Sequence, residues 1–136
     1  MNHVYDIFKP KIIVKKVGYE RIQRLTNNSI LLNTLENINQ DILIINTLVS
    51  SGEEDYINNL IQNRDYTKEI VIYGKNACDE SVIKKYIQLK NYGFTNLLIY
   101  AGGLFEWLLL QDIYGDELFP TTNKTLDILK YKPIDN

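Results

Sequence analysis

The sequence predicts an α/β fold: a three-layer domain with a central, mostly parallel sheet of about five strands flanked by helices. Short apolar segments alternate with segments whose apolar residues have helical spacing, which is the pattern of units that build parallel sheets. The strand candidates are apolar almost throughout, as is typical of strands buried on both faces. A chain of 136 residues is long enough for one domain with its own core. We therefore interpret residues 1–136 as a single domain.

Five segments are predicted as strands because they are short, rich in β-branched residues and bounded by polar residues or glycine. The clearest is EIVIY, at residues 69–73. In chain order the predicted strands are residues 12–16, 29–35, 41–48, 69–73 and 97–100.

Four segments are predicted as helices because apolar residues recur in them every three or four positions. Gly93 follows the third, where a left-handed C-terminal cap is expected, and Gly115 closes the fourth. In chain order the predicted helices are residues 19–26, 53–62, 80–92 and 104–114.

Composition and charge narrow the classes of function. Fifteen basic and seventeen acidic residues give a net charge of -2 and are interspersed, so we expect no nucleic-acid partner. No apolar run approaches the roughly 20 residues of a membrane span, and we expect no membrane partner. One cysteine and no secretory signal pattern favour a reducing compartment, the cytoplasm. One histidine, His3, and one cysteine cannot form a conventional zinc site, so neither metal nor cofactor is expected.

The loop after the fourth predicted strand is the first candidate for a site. Ligands of parallel sheets bind at the carboxyl ends of strands, and this loop also precedes a helix N-terminus. It consists of Gly74, Lys75, Asn76, Ala77, Cys78 and Asp79.

The segment from Glu69 to Trp107 contains three short motifs: IVIY at 70–73, GFTNLLIY at 93–100 and GGLFEW at 102–107. With these motifs it resembles the rhodanese family. In that family a strand ending in tyrosine is followed by a nucleophilic cysteine, a short loop, Arg-Ser and a helix. A G-F-x-N-V turn, another strand and a Gly-Gly pair four residues before a tryptophan complete the pattern. Asn33 lies where an aspartate is usual.

The resemblance covers about residues 12–110 and leaves 111–136 as a C-terminal extension. It implies a rhodanese-like fold, with a tight turn at Gly102 and Gly103. The segment from Tyr100 to Thr122 is similar in particular to small rhodanese-like proteins of giant DNA viruses and protists. That similarity implies a viral protein, located in the host cytoplasm or the virion.

Two departures from the family remove the usual sulfurtransferase chemistry. Gly74 occupies the position of the nucleophile, and glycine can neither attack a sulfane sulfur nor carry it as a persulfide. The arginine that would pair with an anionic substrate is replaced around Asp79 and Glu80, whose carboxylates repel thiosulfate or phosphate. The sequence therefore predicts a non-catalytic module that binds a protein or a small anionic or sulfur ligand through the loop.

An alternative function uses Cys78, which lies four residues later in the same loop. As a displaced nucleophile, activated by the helix N-terminus and by Lys75, it would make the chain a sulfurtransferase or persulfide carrier. The simpler interpretation is an ordinary loop cysteine. Asp79 and Glu80 are likewise more simply explained as residues that begin a helix than as acid/base groups.

A third function is a structural role in assembly through the helix from Leu104 to Tyr114. Apolar residues occupy most of its circumference, which predicts burial on more than one side. Coverage by the C-terminal tail is the simpler explanation. A homo-oligomer or partner interface is the alternative, because Trp, Phe and Tyr favour such surfaces.

Overall fold

The sheet has five strands, all parallel, in the order β1-β5-β4-β2-β3. A computed structural model describes residues 13–134 of the chain. β4 is central and pairs over its whole length with β2, so it is the most protected strand. The strands are β1 (Lys16–Val17), β2 (Ser29–Asn33), β3 (Thr47–Leu48), β4 (Glu69–Tyr73) and β5 (Leu97–Tyr100).

The described residues form four α-helices, of which three connect strands and the fourth follows β5; two short 3-10 turns lie at Asn37–Asn39 and Ile128–Tyr131. Within residues 13–134 no helix has the length and apolar character needed to cross a membrane. The helices are α1 (Tyr19–Gln23), α2 (Ser50–Gln62), α3 (Ser81–Asn91) and α4 (Gly103–Tyr114).

Each face of the sheet carries its own hydrophobic cluster. Alternate side chains of a strand point to opposite faces, and in β4 Val71 belongs to one cluster and Ile72 to the other. Helices α1 and α4 cover the first face, and α2 and α3 cover the second. Burial on both faces gives the three-layer α/β architecture, so the predicted fold class is confirmed.

The third predicted strand, residues 41–48, is wrong over most of its length, because only Thr47–Leu48 lies in the sheet. Ile42, Leu43 and Ile44 are buried within this segment, but its backbone bonds to the C-terminal tail. The N–H of Thr122 donates to the carbonyl of Leu43 at 2.8 Å. Asn46 then adopts a left-handed φ of +66°, which interrupts any extended run.

The first predicted strand, residues 12–16, is displaced toward the C-terminus. β1 comprises Lys16–Val17, and residue 12 lies outside the described part of the chain. The N–H of Ile99 donates to the carbonyl of Lys15 at 2.9 Å, so the chain joins β5 only at the end of the predicted segment.

Two helix boundaries differ from the prediction by three residues each. α1 ends at Gln23 because the N–H of Leu25 closes a tight turn onto the carbonyl of Ile22. α2 begins at Ser50, whose N–H donates to Gln40 Oε1 at 3.0 Å. That bond gives the first helical amide a partner outside the helix.

The remaining boundaries shift by one or two residues. β2 ends at Asn33, because its side chain accepts the N–H of Leu35 at 3.0 Å and turns the backbone out of the sheet. α3 is one residue shorter at each end than predicted, and α4 begins one residue earlier. Gly93 has a positive φ of +110°, as its predicted position after a helix requires. Gly115 also has a positive φ, of +100°, but its ψ of 160° is outside the left-handed helical region.

Candidate functional site

The candidate loop, residues 74–79, leaves the carboxyl end of the central strand β4 and leads into α3. Thr34 follows β2 at the same edge of the sheet, so it lies beside the loop. Gly74 and Asn76 are buried, whereas Ala77 and Cys78 are exposed. The loop therefore has an inner part packed on the sheet and an outer part open to solvent.

Position 74 has no space for a side chain. A Cβ atom built on Gly74 would lie 2.5 Å from both Asp79 Oδ2 and Val82 Cγ2, and 2.8 Å from Thr34 Oγ1. All three distances are far inside van der Waals contact. The position where the resemblance places a nucleophilic cysteine is filled by neighbouring side chains.

The start of α4 donates its amides to the loop. The N–H of Leu104 bonds to the carbonyl of Gly74 and the N–H of Phe105 to the carbonyl of Lys75, each at 2.9 Å. Gly103 makes this approach possible, with φ of +69° and no room for a Cβ, which would lie 2.8 Å from the Gly74 carbonyl oxygen. Gly103 thus serves close packing against the loop backbone as well as the predicted turn.

The carboxylate of Asp79 lies inside the loop and accepts hydrogen bonds with both oxygens. Oδ2 accepts from the backbone N–H of Lys75 at 3.1 Å and from the hydroxyl of Thr34 at 3.4 Å. Oδ1 accepts from the N–H of Ser81 at 3.0 Å and from its hydroxyl at 2.5 Å. The N–H groups of Lys75 and Ser81 are therefore occupied by an anion that the chain itself supplies.

These contacts shift the pKa of the Asp79 carboxyl. Partial burial acts to raise the pKa of its carboxyl, but the hydrogen bonds from Ser81, Lys75 and Thr34 outweigh burial and hold the pKa below its ordinary value. Asp79 also accepts from the first N–H of α3, so the interpretation of Asp79 as a residue that begins a helix agrees with its contacts.

An Asp79→Asn variant is expected to be less stable than the parent chain by about 1 kcal/mol near pH 7, because an amide nitrogen would face donors. The lowered pKa means that the charged carboxylate stabilises the folded chain above its ordinary pKa. That stabilisation is lost as the pH falls through the folded-state pKa, so the difference should shrink below about pH 4. Urea unfolding at several pH values measures it. Asp112→Asn, at an exposed position of α4, is the matched control, and an equal pH dependence in both variants would contradict the assignment.

Asn76 ties the loop to the C-terminal tail. Its Oδ1 accepts the N–H of Cys78 at 2.9 Å, and its Nδ2 donates to the carbonyl of Tyr131 at 3.0 Å. Both ends of a buried amide are thus satisfied, which fixes the loop and the tail relative to each other.

The tail also covers one side of α4. Trp107 Nε1 donates to the carbonyl of Pro120 at 3.1 Å, and the Trp107 ring meets Phe119 edge-on at 5.0 Å between centroids. Ile113 and Tyr114 stay exposed at the end of the helix. That the exposed side forms a homo-oligomer remains a prediction.

An open cleft of about 410 Å³ lies between the outer part of the loop and the tail. It combines three lysines, two acidic residues, several neutral polar side chains and a few apolar ones. The charged side chains and the thiol on the lining belong to Lys75, Lys130, Lys132, Glu36, Asp79 and Cys78.

The predicted site residues are only partly brought together. Lys75, Asn76, Cys78 and Asp79 line the cleft, whereas Gly74 lies buried behind it. Cys78 is exposed, and its reactivity remains a prediction. Among residues 13–134 no cluster of three or more His, Cys, Asp or Glu side chains could hold a metal ion, and His3 lies outside the described residues.

Other site residues were not identified from the sequence. Thr34 could have been found, because strands adjacent in a parallel sheet bring their following residues to the same edge. Lys130 and Lys132 carried no such signal, since they lie in a polar tail that has no motif. Only the packing of the tail brings them to the loop.

Comparison with solved structures gives the fold a family context. The rhodanese-3-like domain of the Alr3790 protein from Anabaena sp. matches with a TM-score of 0.52 and 20% sequence identity, covering 71% of this chain and 94% of that one. A second structure of the Alr3790 protein matches with a TM-score of 0.57 and 20% identity, covering 84% and 86%. No family profile and no curated protein matches the sequence. The chain therefore has the fold of a rhodanese-like domain, as its motifs predict.

Proposed function

We propose that this chain is a non-catalytic binding module on a rhodanese-like fold, with the loop 74–79 and the adjoining cleft as its recognition surface. The observation that carries the proposal is the filled position 74. A Cβ there would meet Asp79, Val82 and Thr34 at 2.8 Å or less. The residue at position 74 has no nucleophilic side chain, and its neighbours leave no room for one.

The hydrogen-bond donors of the loop support the same proposal. In persulfide chemistry, backbone N–H groups beside the nucleophile stabilise negative charge on sulfur. Here the N–H groups of Lys75 and Ser81 donate to Asp79 instead. An incoming thiosulfate would have to displace an internal carboxylate and would be repelled by it.

Cys78 supports a second candidate, a sulfurtransferase or persulfide carrier. Its thiol is exposed and it lines the same cleft as Lys75. In that reaction the Cys78 thiolate would attack the sulfane sulfur of thiosulfate, the S–S bond would break and sulfite would leave. The persulfide would then pass its outer sulfur to a thiophilic acceptor such as cyanide.

Sulfur-transfer assays with thiosulfate and with mercaptopyruvate, using cyanide as acceptor, distinguish the two candidates. We expect the parent chain to show no turnover above the buffer blank, because the usual nucleophile is missing and the loop donors are occupied. Cys78→Ser should give the same result. An active sulfurtransferase in parallel verifies the assay, and turnover that disappears in Cys78→Ser would overturn the proposal in favour of the second candidate.

A further inference from the structure

We infer that the cleft between the loop and the tail binds an acidic peptide segment of a partner protein, an assignment that rests on the proposed binding function. Lys75, Lys130 and Lys132 supply the charge that would pair with its carboxylates. Lys75 comes from the loop, and the other two come from the tail, about 55 residues further along the chain. The fold thus gathers into one cleft a positive charge that no local sequence cluster provides.

The three lysines are available for a partner. Within residues 13–134 the ion pairs are formed by Arg21, Lys85 and Lys124, and none of the three cleft lysines takes part in one. Lys130 and Lys132 are exposed, and Lys75 is partly exposed. Pairing them with incoming carboxylates therefore requires no internal salt bridge to break.

The acidic residues of the cleft neutralise only part of this positive charge. The Asp79 carboxylate accepts hydrogen bonds from Thr34, Lys75 and Ser81 and keeps its negative charge, and Glu36 is the other carboxylate on the lining. Three cations and two anions therefore line the cleft, which leaves it with one net positive charge in a chain whose overall net charge is -2. The excess of positive charge is a local property of this cleft.

The shape and donors of the cleft favour a peptide over a compact inorganic anion. A volume of about 410 Å³ exceeds the size of a thiosulfate or phosphate ion and lies within the range of ligand pockets. Two backbone donors of the loop, the N–H groups of Lys75 and Ser81, are already used by Asp79 and are not free to bind a small oxyanion. Leu35 and Ile134 add apolar surface, which suits the backbone and methylene groups of glutamate side chains.

Fluorescence polarisation with a fluorescein-labelled hexaglutamate peptide tests this assignment on the full chain. We expect saturable binding that weakens strongly between about 50 and 500 mM NaCl, since exposed charge pairs are screened. A hexaglutamine peptide should not bind. The triple variant Lys75→Gln/Lys130→Gln/Lys132→Gln should bind about tenfold more weakly, the sum of three modest pairs.

The matched control is Lys15→Gln/Lys16→Gln/Lys90→Gln, which makes the same charge change at exposed positions outside the cleft. Its affinity for hexaglutamate should change less than twofold, and the urea midpoints of both triple variants should match the parent, to exclude unfolding. Equal losses in the two triple variants would overturn the assignment. Displacement of the peptide by inorganic phosphate, or tighter binding of an oligonucleotide, would overturn it as well.

Cys78 offers an independent measure of where the peptide binds, because it is the chain's single cysteine and lines the cleft. Hexaglutamate should slow its alkylation by N-ethylmaleimide, and unchanged alkylation at saturating peptide would contradict the location. Sulfur transfer is measured separately. Turnover of thiosulfate would refute the non-catalytic function, whereas lysine-independent peptide binding without turnover would refute only the acidic-peptide assignment.

Discussion

A Gly74→Cys variant is expected to lose about 1–3 kcal/mol of unfolding free energy and to gain no sulfurtransferase activity. The substitution restores the residue that the resemblance places after the central strand. Its Cβ, however, would lie 2.5 Å from Asp79 Oδ2 and from Val82 Cγ2. The sulfur atom needs still more space, so the loop must distort before a thiolate can form there.

The neighbours of position 74 cannot move aside at low cost. The Asp79 carboxylate is held by hydrogen bonds to Lys75, Thr34 and Ser81. Val82 is β-branched and buried in α3, where one χ1 rotamer is strongly preferred. Relief of either contact therefore breaks hydrogen bonds or forces an unfavourable rotamer.

Urea unfolding and the thiosulfate assay measure both parts of this prediction, in a Cys78→Ser background so that the introduced thiol is the single one. Gly52→Cys is the matched control, because a Cβ on Gly52 would lie at an ordinary 3.7 Å from Leu48 Cδ1. It should be as stable as its parent or slightly more so, since glycine is unfavourable within a helix. If Gly74→Cys is as stable as the parent and also turns over thiosulfate, the loop can accommodate and activate a nucleophile at position 74, and the prediction is wrong.

A double-mutant cycle of Gly74→Ala and Asp79→Ala identifies which neighbour excludes a side chain from position 74. If the carboxylate is what obstructs position 74, the double variant should lose less stability than the sum of the two single variants. Additive losses would leave Val82 and Thr34 as the obstruction. Either result shows which side chain makes glycine necessary at position 74, and neither requires the variant to be active.

The strands and helices that could be predicted are those whose pattern has one physical explanation. β4 and β5 match their predicted bounds, because a short apolar run between polar residues fits a buried strand and little else. Residues 41–48 have a similar apolar pattern for a different reason: Ile42, Leu43 and Ile44 are buried in the core, and the carbonyl of Leu43 accepts a hydrogen bond from the N–H of Thr122 in the tail. The burial of a segment can be predicted from its composition, but the hydrogen-bonding partner of its backbone cannot.

The same limit applies to the site. The alternation of strands and helices and the carboxyl-end rule located the loop, and the missing cysteine and arginine were visible in the sequence. The sequence suggested that Asp79 repels an anionic substrate, but not that its carboxylate fills the loop and accepts from Lys75 and Ser81. Those bonds depend on loop conformation, which a single sequence does not determine. Nor could it place Lys130 and Lys132 beside the loop.

Asn33 is a third position where this chain departs from the residue usual in the rhodanese family, and its neighbours suit an amide. Its buried Nδ2 donates to the carbonyl of Leu48 at 3.1 Å and to Gln40 Oε1 at 3.0 Å. Its Oδ1 accepts from the N–H of Leu35 and from Gln40 Nε2. The Asn33 amide therefore joins β2 to β3 and to the segment between them, because its Nδ2 donates and its Oδ1 accepts hydrogen bonds.

An Asn33→Asp variant is therefore expected to lose about 3 kcal/mol near pH 7. A carboxylate keeps the two bonds to Oδ1, but its second oxygen would face the oxygens of Leu48 and Gln40 at hydrogen-bond distance. Gln40 cannot relieve this by turning its amide, because its Oε1 also accepts the N–H of Ser50 and its Nε2 also donates to the carbonyl of Leu35.

The pH dependence identifies the cause. Burial and two facing oxygens should raise the pKa of the introduced carboxyl in the folded chain above its ordinary value. The folded chain then binds more protons than the unfolded chain, so the loss of stability grows as the pH rises through the range from about 4 to 7. At low pH the protonated carboxyl can donate one hydrogen bond, and part of the loss should disappear.

Urea unfolding of the parent and variant at about pH 4 and pH 7 measures both the size and the sign of this effect. Asn58→Asp makes the same substitution at an exposed position of α2 and should change stability by no more than about 0.5 kcal/mol. A loss in Asn33→Asp that is as small as in this control, or that grows as the pH falls, would mean that the amide donors of Asn33 do not hold β2 to β3. The expected result would give Asn33 and Gly74 the same explanation. At both positions the family residue fails because its neighbours in this chain suit the residue that replaced it.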